Sequence, residues 1–296
     1  MVYKLGLIGW PLEHSLSPAI HNAALHALFL RGEYHAYPIP SLPGGTGELI
    51  GLLERMRCGD IHGLNVTLPH KQTVIPWLDE LTPTAAAIGA VNLIFSNGNR
   101  LVGDNTDGKG FLTDLRRFLN EIGDYPRGSR TTALVLGSGG SARAVAYALA
   151  QEGWSVTVAA RRLEQARLLA SELALTLSGD TAGRAAHPHP IIPIALEPVS
   201  LSHVKPDLIV NATPVGMSPG VAACPWPPDL NFPAGVVVYD LIYDPRETTL
   251  VRRARAACLP STHGLGTLIE QAALSFERWT GLLAPQQVMR QAVDLA

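Results

Sequence analysis

The chain has 296 residues, 47% of them hydrophobic, and a formal net charge of −2; it is long enough for two domains of ~150 residues, each with its own core. Near-neutral charge gives no global drive toward nucleic acid or an anionic membrane, and no apolar stretch has the length of a bilayer span. Cys58, Cys224 and Cys258 are few, odd in number and far apart, which argues against a disulfide framework and against a CxxC zinc site and fits a reduced, cytoplasmic compartment.

The opening run MVYKLGLIGW enters a strand pattern without the apolar core of a signal peptide, and a buried strand is predicted from Leu5 to Gly9. A helix follows from Pro18 to Leu30, with proline in its first turn, then a strand from Tyr34 to Tyr37. After the Pro/Gly turn Ser41 to Gly47, helical periodicity runs from Glu48 to Met56 and a strand from Ile61 to Val66. Pro83 to Ile88 suits a short helix. Val91 to Phe95 and Arg100 to Val102 form a hairpin pattern across Ser96-Asn97-Gly98-Asn99. A helix from Gly110 to Leu119 then leads to a polar connector, Gly123 to Arg130. The alternation predicts an α/β layer architecture.

Beyond the connector, the apolar strand Thr132 to Leu136 runs into GSGGSARA, Gly137 to Ala144, which opens an alanine-rich helix. This order is that of a dinucleotide-binding turn. Gly137 permits the tight exit from the strand, Gly139 lets the backbone approach a pyrophosphate, and Ala142 is small enough for close helix-strand packing. The helix N-terminus would then offer its free N–H groups and positive dipole end to the phosphates. Further strands are predicted at Ser155 to Ala160, Leu208 to Asn211 and Val236 to Asp240. Ser178 to Pro193, rich in Gly, Pro and His, reads as a surface loop; His187 and His189 lack a carboxylate or cysteine at ligand spacing and read as solvated rather than metal-binding.

Three polar clusters could carry chemistry. GWPLEHSLSPAIHN, Gly9 to Asn22, places Ser15 and Ser17 at a strand-to-helix turn, where serine serves equally as a helix cap or as a ligand for a carboxylate or polyol. Asn65-Val66-Thr67-Leu68-Pro69-His70-Lys71 lies where a strand ends and a helix starts, the usual ligand position in α/β folds. Gly103 to Gly108, with Asp104, Asn105, Thr106 and Asp107, is a polar turn before a helix.

Taken in order, these clusters resemble the shikimate dehydrogenase family across nearly the whole chain. The matching runs are GxPxxHSxSPxxHN at Gly9, NVTxPxK at Asn65, GAVN at Gly89, NTDG at Asn105, GSGGSARA, NATPVGM at Asn211 and GLGTLIEQAALSFERWTG at Gly264. The resemblance implies a substrate-binding and catalytic domain over 1–109, a Rossmann-like NADP-binding domain over 110–263, and a helical segment, 264–296, returning to the first domain. It implies that Ser15 and Ser17 meet the carboxylate of shikimate, that Asn65, Thr67, Asn92, Asp107 and Gln271 meet its hydroxyls or nearby polar atoms, and that Tyr243 helps enclose it. Lys71 is the implied catalytic residue, with Asp107 beside it. For the cofactor it implies Gly137, Ser138, Gly139, Gly140, Ser141 and Ala142, with Arg161, Arg162, Thr213 and Gly264. The chain departs from the family pattern at Leu93 (usually threonine), Ala160-Arg161-Arg162 (usually Asn-Arg-Thr), Gln165 (usually basic) and Thr267 (often methionine).

The chemistry suits these residue types. Reducing the ketone of 3-dehydroshikimate needs hydride from a nicotinamide and a proton for the developing alkoxide; a lysine beside an aspartate can donate that proton and needs no metal. About 20 residues past the first glycine, where an NAD site carries Asp or Glu, the chain reads Ala159-Ala160-Arg161-Arg162, and guanidinium groups suit the 2′-phosphate of NADP. The expected protein is an NADP-dependent oxidoreductase of the shikimate pathway to chorismate and aromatic amino acids, a monomer or homodimer working on small molecules without nucleic acid or membrane. The rivals are a quinate/shikimate dehydrogenase using NAD or NADP, and a regulatory module that binds both ligands without turnover.

Overall fold

A computed structural model of the chain describes residues 2–123, 131–179 and 190–294. It divides into two compact units, Met1–Gly110 with Ile269–Ala296, and Phe111–Leu268. The sequence places these boundaries at 109/110 and 263/264.

Unit 1 is built from β1 (Tyr3–Gly9), α1 (Ser17–Ala27), β2 (Gly32–Pro38), α2 (Thr46–Arg57), β3 (Gly63–Val66), α3 (His70–Thr73), β4 (Glu80–Leu81), α4 (Pro83–Ile88), β5 (Leu93–Asn97) and β6 (Arg100–Asp104), leading into α5 (Asp107–Ile122). Its six-stranded sheet has the order β2-β1-β3-β5-β6-β4, with β5 antiparallel to both β3 and β6. β1 is internal, and from Leu5 to Gly9 it is buried on both faces, which explains its continuous apolar run. On one face Ile8, Leu64, Val66 and Ile94 pack with Leu49, Leu52, Leu53 and Met56 of α2. Each such fully buried aliphatic side chain contributes about 1.5–3 kcal/mol.

Unit 2 contains β7 (Thr132–Leu136), α6 (Gly140–Gln151), β8 (Ser155–Ala160), α7 (Leu163–Gly179), β9 (Ile192–Ala195), α8 (Pro198–Ser202), β10 (Leu208–Asn211), β11 (Val237–Asp240), α9 (Thr249–Ala256) and β12 (Ser261–His263). The sheet order is β12-β11-β10-β7-β8-β9, and every neighbouring pair is parallel. Numbered within the unit this is 6-5-4-1-2-3, the doubly wound dinucleotide-binding order, with its switch point between β7 and β10. Alternate residues of β7 serve opposite cores: Ala133 and Val135 face one cluster, Leu134 and Leu136 the other.

After β12, α10 (Leu265–Thr280) and α11 (Gln286–Asp294) complete unit 1, where α11 packs on α1. Gly63 makes room for α10, since a Cβ there would stand 2.1 Å from Trp279 Nε1, and that indole nitrogen donates to Ile94 O at 3.1 Å.

The expected loop from Ser178 to Pro193 is corrected at both ends. α7 continues to Gly179, and Ile192–Ala195 is a strand. Pro193 is tolerated because β9 is an edge strand, where a missing N–H leaves no ladder bond unmade. His187, His189 and most of the connector Gly123 to Arg130 lie outside the described residues. Among the described residues no helix is long and apolar enough to cross a membrane, and no His/Cys/Asp/Glu group is placed to hold a metal.

Candidate active site

Four segments meet at one edge of the unit 1 sheet. β1 and β3 are parallel and pair Ile8 with Val66, so the loops that start at Gly9 and Thr67 leave the same edge. β5 enters there from Asn92, and β6 leaves there through Asp104, which pairs with Leu93. Ser15, Ser17, Thr67, Lys71, Asn92 and Asp107 are therefore carried on loops at one edge by the topology.

Lys71 stands in α3, whose backbone is tied to the β5 entry by Val91 N donating to Lys71 O at 2.7 Å. Its Nζ donates to Asp107 Oδ2 at 2.5 Å, and both side chains are nearly buried, 11% and 13% exposed. The other carboxylate oxygen, Asp107 Oδ1, accepts from Asn92 Nδ2 at 2.8 Å. Each oxygen of the Asp107 carboxylate thus has a donor. Removing one partner of such a desolvated pair costs about 3–5 kcal/mol, so the pair tolerates little local change. Asp107 is itself fixed from behind: its N–H donates to Asn105 Oδ1 at 3.1 Å, and Asn105 Nδ2 donates to Ala90 O at 2.9 Å.

Gln271, on α10, joins this group within unit 1. Its Oε1 lies 3.2 Å from Asn92 Nδ2, and its carbonyl accepts from Thr106 Oγ1 at 3.2 Å and Ser275 Oγ at 2.9 Å. Asn65 Nδ2 donates to Ser275 Oγ at 2.9 Å and to Asn92 O at 3.0 Å. Thr67 donates its N–H to Ile8 O at 2.8 Å, which pins the loop to β1. Of the two serines, Ser15 takes a cap-like role, since its hydroxyl meets the first N–H of α1. The N-cap of α1 is Leu16 and has no side-chain cap, while Ser15 Oγ accepts from Ser17 N at 3.3 Å just ahead of it. Tyr243 belongs to unit 2, past the end of β11, whereas the other substrate-site candidates belong to unit 1.

In unit 2 the glycine turn sits at the C-terminal end of β7, beside β10. Gly137 has φ +115°, outside the range of ordinary side-chain-bearing residues, and a Cβ there would come 3.0 Å from Ala212 O. Gly139 is the N-cap of α6; a Cβ on it would meet nothing, no side chain caps the helix, and its first turn carries no acidic residue. Gly140, Ser141 and Ala142 open that helix, with Ala142 fully buried. Ser138 donates to Gln165 Oε1 at 3.3 Å, linking the glycine turn to α7. Arg161 and Arg162 are both exposed directly after β8, with no carboxylate among Ala159–Arg162. An uncapped helix start approached over bare glycine backbone, with two cations at the next strand end, fits a phosphorylated dinucleotide.

Thr213 is held at the switch point by Asn211, whose Oδ1 accepts from Thr213 N at 3.0 Å and Thr213 Oγ1 at 2.7 Å. Asn211 Nδ2 in turn donates to Asp240 Oδ1 at 2.9 Å, and Thr248 Oγ1 donates to Asp240 Oδ2 at 2.7 Å. Burial pushes the Asp240 carboxyl up to about 6 against these favourable bonds. Gly264 lies against the chain leaving β11, where a Cβ would stand 2.0 Å from Leu241 O. Thr267 has a polar partner: Tyr239 OH donates to Asp114, so the Thr267 hydroxyl, 2.7 Å away, donates to Tyr239.

Tyr34, whose hydroxyl donates to Asn65 Oδ1 at 2.8 Å, and Ser275 are residues of this network that sequence reasoning does not single out, while Thr106 enters it only as a member of the polar turn Gly103 to Gly108. Ser275 alone carries a usable signal, since it stands four residues after Gln271 on one helix face.

With this geometry in view, residues 7–94 match the shikimate dehydrogenase substrate binding domain and residues 264–293 the shikimate 5′-dehydrogenase C-terminal domain. The chain is 42% identical over 290 residues to the NADP(+) shikimate dehydrogenase of Salinibacter ruber, covering 97% of this chain and 95% of the relative. Among solved structures it is similar to shikimate 5-dehydrogenase of Thermus thermophilus in complex with NADP(H) and shikimate, at 36% identity and TM-score 0.80, with 99% of each chain covered. It is also similar to quinate dehydrogenase of Corynebacterium glutamicum in complex with NAD, at 30% identity and TM-score 0.81, covering 100% and 99% of the two chains. The chain belongs to the shikimate dehydrogenase family.

Proposed function

We propose that this protein catalyses the NADP-dependent interconversion of 3-dehydroshikimate and shikimate, in the pathway to chorismate and the aromatic amino acids. The observation that carries this is the Lys71–Asp107 pair, nearly buried at the edge where the polar loops of unit 1 converge. Unit 1 holds the substrate in this reading. Ser15 and Ser17 take its carboxylate, and Asn65, Thr67, Asn92, Asp107 and Gln271 surround its hydroxyls. Unit 2 holds NADP over Gly137–Ala142, with Thr213 and Gly264 nearby and Arg161 and Arg162 on the 2′-phosphate.

NADP, when bound, supplies or accepts hydride at the carbon bearing the reacting oxygen. In reduction, Lys71 Nζ gives its proton to that oxygen and stabilises the negative charge as it builds. In oxidation, neutral Lys71 takes the hydroxyl proton. Asp107 holds the Lys71 side chain in place through the 2.5 Å contact, while Asn92 fixes Asp107 from the opposite side.

The similarity to an NAD-bound quinate dehydrogenase gives a second reading, in which the same pair works on quinate with NAD. Against it stands Arg161-Arg162 in the place of the ribose-binding carboxylate. Initial rates with shikimate against quinate, and NADP+ against NAD+, separate the two; absence of turnover with shikimate and either cofactor would overturn the proposal. We place the enzyme in the cytoplasm, consistent with the three free cysteines, acting on small molecules as a monomer or homodimer.

A further inference from the structure

Asp240, the last residue of β11, is fully buried, yet it has no part in the chemistry proposed above. Its partners all donate to it: Asn211 Nδ2 and Ile242 N reach Oδ1 at 2.9 and 3.1 Å, and Thr248 Oγ1 reaches Oδ2 at 2.7 Å. Thr248 is the N-cap of α9, and its hydroxyl, having given its hydrogen to Asp240, accepts from Val251 N at 3.2 Å. A position that must accept on both oxygens is one that a carboxylate fills. Asp240 thereby joins the loop that leaves β10 at Asn211, the loop that leaves β11, and the first turn of α9.

The first of these segments reaches the glycine turn. The sense of the Asn211 amide is set from both sides: the Thr213 N–H can only donate and so takes the oxygen, while the Asp240 carboxylate accepts and so takes the NH2. The Thr213 hydroxyl also donates to Asn211 Oδ1 and accepts from Val215 N at 3.2 Å, so the chain folds tightly over the asparagine side chain. Leu241 N donates to Asn211 O at 3.0 Å, which binds this loop to the next one by backbone as well. On its other side the turn packs against Gly137, where a Cβ would stand 3.0 Å from Ala212 O and 3.1 Å from Thr213 Cγ2. A continuous run of contacts thus leads from a buried carboxylate to the first residue of the dinucleotide turn.

A doubly wound sheet carries its dinucleotide across the switch point, with one nucleotide on each half. Here β7, β8 and β9 form one half, with Arg161 and Arg162 at the end of β8, and β10, β11 and β12 form the other. Asn211, Thr213 and Asp240 belong to the second half, which receives the nicotinamide nucleotide when the adenosine 2′-phosphate lies on the arginines. We infer that Asp240 and Asn211 are positioning residues for this nicotinamide half, holding the Thr213 turn against Gly137 and so shaping the wall on which that nucleotide rests. The inference rests on the function proposed above and assigns the two ends of the cofactor to separate groups of residues.

The test uses the full-length enzyme, with initial rates and calorimetric Kd for NADP+, for shikimate, and for 2′,5′-ADP, which carries the adenosine half alone. Asp240→Ala should raise Kd and KM for NADP+ by about five- to ten-fold, the worth of roughly one hydrogen bond, and leave Kd for 2′,5′-ADP and shikimate within two-fold. Asn211→Ala, which cuts the same link from the other side, should give the same selective loss and serves if Asp240→Ala does not fold. Asp240→Asn, whose amide oxygen can take the place of Oδ1 toward Asn211 and Ile242, should recover most of the NADP+ affinity. Unchanged NADP+ Kd in whichever alanine variant folds, equal losses for NADP+ and 2′,5′-ADP, or an Asp240→Asn loss as large as that of Asp240→Ala would each overturn the inference. Lack of NADP+ binding by the unaltered enzyme would instead fail the functional proposal itself.

Discussion

The two units prepare for their ligands in opposite ways. In unit 1 the candidate site is made of side chains that are themselves buried and bonded to one another: Asn65, Asn92, Asp107 and Gln271 are each exposed by 9% or less. In unit 2 the corresponding edge offers backbone, the bare turn at Gly137 and Gly139 with an uncapped helix behind it, and exposed arginines at the next strand. A polyol the size of shikimate has a few hydroxyls to be distinguished, which needs donors and acceptors of fixed sense. A dinucleotide presents phosphates, which backbone N–H groups and mobile cations meet without such precision. Changes in unit 1 should therefore propagate through the network and fail to add, while changes in unit 2 should act locally.

The largest effect is expected at Lys71. Lys71→Met keeps much of the side-chain volume and removes the proton carrier, so kcat should fall by about 10²- to 10⁴-fold while shikimate affinity changes by only a modest factor. A near-normal kcat would take Lys71 out of the role. Asp107→Asn keeps the shape but loses the charge that holds Lys71, so turnover should drop at least about ten-fold and KM for shikimate should rise. Combined with Lys71→Met, it should cost far less than the product of the separate losses. Full additivity in kcat/KM would mean that the pair does not act as one unit.

The same contrast governs how much is legible in the sequence. The βα turn at Gly137 is readable because strand, glycines and helix are contiguous, and the strands Ser155–Ala160 and Leu208–Asn211 are placed to the residue. β9 escapes because Pro193 argues against a strand until its edge position is known, and β12 because Ser261–His263 is short and polar. In unit 1 the identity of the polar clusters is visible, but not their convergence. Nothing in spacing says that β5 runs antiparallel to β3, which is what brings Asn92 beside Lys71. Tyr34 has no sequence signal at all, since its role arises from contacts with distant residues; its hydrogen-bond partners Asn22 and Asn65 lie 12 and 31 positions away.

In unit 2, replacing Arg161 and Arg162 with neutral residues should raise KM for NADP+ about ten-fold or more, since a charge-assisted hydrogen bond contributes roughly 1.5–3 kcal/mol. The NAD+ reaction should be nearly untouched, and raised salt should weaken NADP+ more than NAD+. Affinity for 2′,5′-ADP, measured against 5′-AMP, reads the same discrimination without turnover. Equal losses for both cofactors would assign the arginines to folding or adenine packing and favour the NAD-dependent alternative.

The smallest expected effect, about 1.4 kcal/mol per pH unit for each group, comes from two buried titratable residues, one in each unit. Burial holds His21 down at about 3 from its ordinary 6.5, so the unfolded chain binds its proton first. Its contribution to stability is fully present above pH 6.5 and is lost as pH falls toward 3. Asp240 is pushed up to about 6 from 3.8, so the folded chain holds its proton longer. Its contribution is fully present below pH 3.8 and is lost as pH rises through about 6. Between pH 4 and 6 the two slopes oppose each other. If the units unfold together, the urea midpoint should carry almost none of either slope; if they unfold separately, the unit 1 transition should strengthen with rising pH and the unit 2 transition weaken. Asp240→Asn should expose the acid sensitivity of His21, and His21→Phe, which keeps an aromatic ring on Tyr34, should expose the opposite slope. The same pH slope in both variants would show that these two groups do not set the pH response of either unit.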